Sequence, residues 1–570
     1  MVFPMVLAVA AAQEESGSLG VVVRPGVLVS PDESGTPAAA AVQEESGIPG
    51  VEEVISPLVR DLEVPAMHEV PGGLTMAITA STEKVQQHVK QGIELVLAGW
   101  DFEAYRHFCA ALKEDPECLM AHWGTAIALA QGDHEFTAQR DAAVVRMAEL
   151  AKRKLGSELE RGYVFCLLVF YRDGSPAAAD SFRKLAENFP NDPLPSVLAA
   201  ILGRSGYDAF GDPTPDQERS ENILRGWMGR LPGNPLIEHA YLVVRAEAPS
   251  LEGDLDLARD LCRRVPVIPT FRHLLGHYEW RSGNFREAAS SFGHTASAYD
   301  AWMRSEKLTP ADCPGWVKAE VYRSAALASM GDFDSALAAA AALGKVPFEP
   351  RRVAAPGSRW LMWEARTLGV RLLLARRNKG DAGLGLKALP QPGSPELQTE
   401  NSEVRYYYQG LATVLEGRAA LEKGGVKRAS ELSSALTMHG TQMAGIRERV
   451  AEIGELSHWR RALPALQVLA SELRGDVALA GPEDGRGSAY NWFLAAVDRQ
   501  ELGSNLMPPA VMVPMRVRVG DFLRASGRKE DAEQEYREAL DLWPRNQWSL
   551  KALEEMLEES AGEADPPSGE

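Results

Sequence analysis

One recurring spacing of small, aromatic and helix-ending residues restricts the fold of this chain more than any other feature. It places a small residue in a first helix, Gly at the turn, Ala five residues later, an aromatic residue four positions beyond, and Pro near the end. This order is typical of a helix–turn–helix repeat of about 34 residues. The small residues let two helices approach closely, the aromatic side chain fills the gap to the next repeat, and Gly and Pro end the helices.

Three segments of the chain match this spacing well. The matching positions are Gly92, Gly99, Ala104, Phe108 and Pro116; Gly276, Gly283, Ala288 and Phe292; and Gly520, Gly527, Ala532, Tyr536 and Pro544. A single hairpin cannot bury its apolar face, so hairpins of this kind must stack. We therefore predict an all-α fold, a superhelical stack of helix hairpins (an α-solenoid) with an open inner wall.

The N-terminal part differs in composition from the rest. Residues 1–12 form an apolar stretch that resembles the end of a secretory signal but lacks a positive start. Residues 13–80 are rich in Gly, Pro, Ser and Glu, which predicts a disordered, acidic tether. These features favour an exported, periplasmic protein, with a cytoplasmic one as the alternative.

Helical spacing of apolar residues begins near Ser81 and is interrupted once. We predict an N-terminal array at 81–347 and a C-terminal array at 406–557. Between them, 348–405 is predicted to be an irregular linker with one helix, and 558–570 an acidic tail.

The numbers of charged residues and cysteines, and the lengths of the apolar runs, argue against several classes of function. With 60 basic and 79 acidic residues the formal net charge is −19, which disfavours nucleic acid as a partner. The five cysteines include no CxxC pair, so neither a disulfide framework nor a zinc ribbon is predicted. After residue 12 no apolar run approaches the roughly 18 residues of a membrane span. This composition is compatible with a protein or peptide partner and also with a homo-oligomer.

The segment QGIELVLAGWDFEAYRHFCAALKEDPECLMAHWGTAIALAQGD resembles the first repeat of a family of bacterial tetratricopeptide-repeat proteins of largely unknown function. The matching residues are Gln91, Gly92, Glu103, Ala104, Phe108, Asp115, Pro116, Cys118, Met120, Ala121, Trp123 and Gly124. Residues 507–550 are similar to that family's ending. The resemblance implies the fold and leaves the activity open. Trp100 and Asp101 stand where the family often has an Asn-His pair, so no role of that histidine carries over.

The resemblance also implies which positions of each first helix face the groove. In the repeat that starts at Pro269 they are Thr270, His273, His277, Trp280 and Arg281, which we predict to contact a partner. His273 and His277 lie four residues apart on one helix face, so they could also bind a divalent metal, with His239 or Glu247 from the preceding repeat as a further ligand. The plainer alternative is that these residues only pack. No bound cofactor is predicted.

The first repeat and the residues after it contain a further group, of both Cys and His residues. His107 and His122 lie near Cys109 and Cys118 in sequence, but their spacing matches no standard zinc site, and buried structural residues are favoured. No P-loop, GxSxG or HExxH motif is present, so we expect no enzyme. The sequence favours a scaffold or adaptor that binds a partner in its groove. The alternatives are an exported carrier of a metal or cofactor and a self-assembling structural subunit.

Overall fold

The computed structural model confirms the all-α prediction. It describes residues 48–70, 72–73, 76–130, 134–208, 210–391, 393–398, 402–448, 453–503 and 506–564. Across these residues the structure is helical, and the one β-type pairing is an isolated antiparallel bridge between Tyr207 and Pro213. The predicted signal segment 1–12 and residues 13–47 of the predicted tether lie outside the described residues.

The chain forms two compact units. The first contains the described residues within Met1–Leu274, Trp302–Leu308 and Ala451–Glu455, and the second contains the remainder. The change of unit falls after Leu274, inside a helix, and the predicted linker 348–405 lies entirely within the second unit.

The helices up to the change of unit are short, and most of them pack against the next helix along the chain. They are α1 (Val51–Val54), α2 (Pro57–Asp61), α3 (Glu83–Leu97), α4 (Asp101–Glu114), α5 (Leu119–Ala128), α6 (Thr137–Lys152), α7 (Glu158–Asp173), α8 (Ser175–Asn188), α9 (Pro193–Gly203), α10 (Pro215–Arg230), α11 (Pro235–Arg245), α12 (Asp254–Arg264) and α13 (Pro269–Arg281). A single 3₁₀ turn, His134–Phe136, precedes α6.

The later helices include longer ones. They are α14 (Phe285–Glu306), α15 (Pro314–Ser329), α16 (Phe333–Leu343), α17 (Pro356–Trp360), α18 (Arg366–Arg376), α19 (Asp381–Ala388), α20 (Ser402–Glu422), α21 (Val426–Arg447), α22 (Ile453–Ala480), α23 (Ser488–Glu501), α24 (Met515–Ala525), α25 (Lys529–Leu542) and α26 (Gln547–Ala564). One turn of π-helix, Leu361–Ala365, joins α17 to α18. The short 3₁₀ turns are Pro350–Arg352, Pro395–Gln398 and Glu483–Gly485.

In the first unit, one aromatic ring lies between two glycines. Phe108 on α4 is completely buried. A Cβ atom added at Gly92 on α3 would lie 2.5 Å from its ring, and one added at Gly124 on α5 would lie 2.1 Å from it. The turn between α3 and α4 is made by Gly99 at φ +75°, a conformation that L side chains rarely adopt. The Phe108 ring therefore takes part both in the contact within the first hairpin, with α3, and in the contact with the next hairpin, with α5.

The second unit repeats this contact. A Cβ atom at Gly276 would lie 2.7 Å from the ring of Phe292, and one at Gly520 would lie 2.4 Å from that of Tyr536. The same relation joins Gly475 to Phe493, at 2.3 Å, in a pair that the sequence analysis did not find. Gly283, at φ +71°, turns between α13 and α14.

The first described residues are ordered, unlike the prediction. We name residues 48–70 the N-terminal arm. Within it, Val54, Ile55 and Val59 are buried. Tyr105 on α4 receives a hydrogen bond from the Ser56 amide at 2.8 Å and donates one to the Val54 carbonyl at 2.9 Å. Burial of these apolar side chains offsets the ordering entropy, so this part of the predicted tether packs against the first hairpin.

A buried ionic network stabilises the second unit. The Glu472 carboxylate is almost fully buried and accepts hydrogen bonds from the guanidinium groups of Arg377 and Arg418. Arg518 lies 3.4 Å from the same carboxylate and also pairs with Asp476 at 2.6 Å. Removing the shared acceptor would leave Arg418 and Arg518, whose side chains are only slightly exposed, without it, which is strongly destabilising.

No helix in the described part of the chain is both long enough and apolar enough to cross a membrane.

Candidate functional site

The predicted groove residues are mostly buried. Thr270, His273, His277 and Trp280 on α13 have almost no exposed surface, and Arg281 is partly exposed. The set is also divided between the two units, since the change of unit falls between His273 and His277. A partner cannot contact the four buried side chains unless the packing opens.

Aromatic packing accounts for the second half of this set. The His277 ring lies 5.2 Å from the Phe292 ring and 5.0 Å from the Tyr322 ring, centroid to centroid. Burial lowers the pKa of His277 well below its usual value, so the ring is neutral. The Trp280 ring lies 6.4 Å from that of Trp543. These positions therefore belong to a packed core.

His239 lies in a similar environment in the first unit. Its Nδ1–H donates to the Leu97 carbonyl at 2.9 Å, and its ring lies 4.7 Å from that of Phe271. Burial lowers the pKa of His239 to about 4. Because this hydrogen bond joins α11 to the end of α3, helices far apart in sequence meet inside the unit.

Two first helices of hairpins in the first unit, α5 and α9, are almost completely buried. Every residue of α5 is buried, and Ser196 is the one residue of α9 that is not. Both helices are rich in Ala and Gly, which allow neighbouring helices to approach closely. The open inner wall that we expected is therefore filled at α5 and α9, whereas α7 keeps an exposed face that includes Phe165.

A cluster of histidines and a glutamate lies where the N-terminal arm meets the first hairpin. We name it the His/Glu cluster, and it consists of His68 from the arm, His88 from α3, and Glu103 and His107 from α4. Nε2 of His68 lies 3.1 Å from Oε1 of Glu103, and the Nδ1 atoms of His88 and His107 are 3.0 Å apart. Glu103 and His107 are buried, and His68 is partly exposed.

The His/Glu cluster has defined electrostatics. Arg106 donates to the second oxygen of Glu103 at 2.7 Å and to Glu306 at 2.5 Å, which leaves Oε1 of Glu103 facing His68. Desolvation, followed by the neighbouring histidines and Arg106, lowers the pKa of His107 to about 3, and an interaction with the Ala66 backbone acts in the opposite direction, so the ring is neutral at physiological pH. Nε2 of His107 is buried without a hydrogen-bond partner.

Among the described residues, His68, Glu103 and His107 are the only group of three or more His, Cys, Asp or Glu side chains placed to hold one metal ion. Their ligand atoms lie within 4.8 Å of one another. The group does not include His239, His273 or His277, the residues that the sequence suggested for a metal.

In the sequence, His107 lies near a different set of residues, namely Cys109, Cys118 and His122. His122 donates through Nε2 to the Pro116 carbonyl at 2.9 Å, and burial lowers its pKa to about 4. Burial raises the pKa of both Cys109 and Cys118 to about 12, so they remain protonated thiols. His68 gave no sequence signal, since it lies in the segment that was predicted to be a tether.

One exposed aromatic residue stands out on the surface of the first unit. Phe210, 92% exposed, lies in the connection between α9 and α10. The loop is internally bonded: Asp208 accepts from the amides of Phe210 at 2.9 Å and Asp212 at 3.0 Å through its carboxylate. Tyr207 anchors the loop to α10 through a hydrogen bond to Glu221 at 2.6 Å.

The stacked hairpins define an α-helical repeat protein. The contact between a small residue of one helix and an aromatic ring sixteen positions away, seen at Gly92 and Phe108, at Gly276 and Phe292, and at Gly520 and Tyr536, is tetratricopeptide-like.

Comparisons with known proteins find similar solved structures, each with low sequence identity and a low TM-score. No family model and no curated protein matches the sequence. Yeast Tom70 is 10% identical, with a TM-score of 0.30, over 86% of this chain and 91% of that one. The P58(IPK) TPR domain is 13% identical, with a TM-score of 0.21, over 85% and 99%. Human IFIT1, solved as a dimer with m7Gppp-AAAA, is 13% identical, with a TM-score of 0.26, over 81% and 91%.

Proposed function

We propose that this chain is a non-catalytic scaffold that binds a protein partner, and that Phe210 is a principal contact. The observation that carries the proposal is the 92% exposure of a large aromatic side chain on a loop held by its own hydrogen bonds. Aromatic side chains supply much of the binding energy at protein interfaces when they enter a partner's pocket. The hydrogen bonds that the amides of Phe210 and Asp212 donate to Asp208 also reduce the conformational entropy that Phe210 would lose on binding.

The surroundings of Phe210 indicate the kind of partner. Asp208 and Asp212 flank it and are exposed, and the whole chain is acidic. An apolar pocket rimmed by Lys or Arg complements this surface. The proposal moves the contact away from Thr270, His273, His277 and Trp280, because those side chains are buried.

The test compares partner capture by three forms of the full chain. Phe210→Ala removes the aromatic group, and Leu502→Ala removes another highly exposed apolar side chain, 76% exposed, elsewhere. Truncating an interface residue of this kind costs about 2 kcal/mol, or roughly thirtyfold in affinity. We expect Phe210→Ala to lose the partner that wild type and Leu502→Ala retain. Equal capture by all three forms would refute the proposed contact.

The same variants examine the self-assembly alternative. If Phe210 packs against a second copy of the chain, the molar mass of the purified protein will fall in Phe210→Ala and stay unchanged in Leu502→Ala. Light scattering of the three proteins over a concentration series measures this directly. If the molar mass is the same in wild type and Phe210→Ala, Phe210 does not pack against a second copy of the chain, and a separate protein remains the proposed partner.

A further inference from the structure

We infer that His68, Glu103 and His107 form a binding site for a divalent transition-metal ion, which fastens the N-terminal arm to the first hairpin. Three ligands from two different segments converge there: His68 comes from the arm, while Glu103 and His107 come from α4. The inference does not depend on the proposed partner contact, which lies on a different loop.

The first support is the state of His107. Its ring is fully buried, and its Nε2 atom has no hydrogen-bond partner. A buried polar atom without a partner is costly, and a bound cation would relieve that cost. On α4, Glu103 and His107 are four residues apart and therefore share one face of the helix.

The second support is the contact between His107 and His88. Their Nδ1 atoms are 3.0 Å apart, so one of them carries the shared proton. If Nδ1–H of His107 donates to His88, the lone pair of Nε2 is the one available to bind a cation. Histidines that bind metals commonly donate their other ring N–H to a neighbouring acceptor, which fixes the tautomer and the ring orientation.

The other two ligands are also positioned by neighbours. The His68 amide donates to Oε1 of Gln91 at 2.8 Å, and the His68 ring lies 4.9 Å from the Trp100 ring. Arg106 binds one oxygen of Glu103, which leaves the other, Oε1, 3.1 Å from Nε2 of His68. A cation would displace the proton that these two atoms share.

The distances and donor types suit zinc-like ions. Two imidazoles and a carboxylate bind zinc at about 2.0–2.2 Å, so tetrahedral ligand atoms lie about 3.3 Å apart. Ligand atoms that already lie within 4.8 Å of one another need to close by about 1 Å or a little more. Imidazole and carboxylate ligands favour a first-row transition ion over calcium or magnesium. The partial exposure of His68 gives the ion a route of entry.

The experiment uses the full chain, purified without a histidine tag, stripped with EDTA and titrated with Zn²⁺ by calorimetry. We expect one Zn²⁺ per chain in the wild type and at least tenfold weaker binding in His68→Ala and in Glu103→Gln. His294→Ala, which changes an exposed histidine on α14, is the matched control and should bind like the wild type. His68 is partly exposed, so its variant tests the site even if changes at the buried Glu103 or His107 impair folding.

A second readout follows the arm itself. Zn²⁺ should slow hydrogen exchange of the amides at 54–70 in the wild type and in His294→Ala, but not in His68→Ala. Wild-type protein that binds no Zn²⁺ would overturn the inference. So would His68→Ala and Glu103→Gln variants that bind it as tightly as the wild type. Either result leaves the Phe210 proposal unaffected, since that contact is measured without added metal.

Discussion

The packing of Phe108 between two glycines makes a sharp prediction about Gly124. In Gly124→Ala the new Cβ would lie 2.1 Å from Cε1, 2.3 Å from Cζ and 2.5 Å from Cδ1 of Phe108. Ordinary contact needs about 1 Å more. The ring cannot move freely towards α3, because Gly92 lies so close that a Cβ there would be 2.5 Å away.

The magnitude follows from two opposing effects. Ala in place of Gly inside a helix stabilises by about 1 kcal/mol. Overpacking a filled core costs about 1–3 kcal/mol, and a ring held on two sides belongs at the upper end. We therefore expect Gly124→Ala to lower the free energy of unfolding by about 2 kcal/mol. The assay is urea unfolding followed by circular dichroism, with thermal unfolding as a second measurement.

The chain offers a matched control and a double-mutant cycle. Gly226, inside α10, has no neighbour within 4 Å of an added Cβ, so Gly226→Ala should stabilise by about 0.5–1 kcal/mol. In a Phe108→Ala background, Gly124→Ala should lose its cost, because its Cβ then fills the cavity. If both glycine variants change stability in the same direction, the proposed packing of Phe108 is wrong.

Three further predictions concern other parts of the chain. Burial lowers the pKa of His239 to about 4 in the folded chain, below its ordinary value of about 6.5, so the unfolded chain takes up its proton first and stability is lost as pH falls from about 6.5 towards 4. His239→Gln should flatten this loss by up to about 1.4 kcal/mol per pH unit in urea unfolding at pH 7 and pH 5, and an unchanged pH dependence would count against a neutral buried ring. Glu472→Ala should cost about 3–5 kcal/mol, whereas Glu416→Ala, which breaks an exposed pair with Arg428, should cost less than about 1, and equal costs would contradict the buried network. Tyr105→Phe should cost about 1–3 kcal/mol and speed hydrogen exchange at 54–59, and unaltered exchange there would show that the hydroxyl does not hold the arm.

Contacts that are local in sequence were the ones that the sequence could predict. Gly92 and Phe108 are sixteen residues apart, as are Gly520 and Tyr536, and each pair lies within one helix hairpin. Spacing alone identifies such a pair, because hairpin geometry fixes which side chains meet. The all-α stack follows from these positions.

Long-range packing could not be predicted in the same way. Four of the five groove positions are buried, and contacts such as that between His239 and the Leu97 carbonyl, 142 residues apart, join helices that are distant in sequence. The N-terminal arm has a tether-like composition, yet it packs on Tyr105 through a few apolar side chains. His68 joins the His/Glu cluster only because of that packing, so no local spacing could have indicated the site.

The central functional claim, that the chain binds a protein partner through Phe210, has one direct test. A photo-crosslinking amino acid is placed at position 210, or at position 502 as the control, and the cells that make the protein are irradiated. The account predicts one prominent adduct with another protein from position 210 and none of that mass from position 502. Absence of any adduct at 210, or the same adducts from both positions, would contradict it.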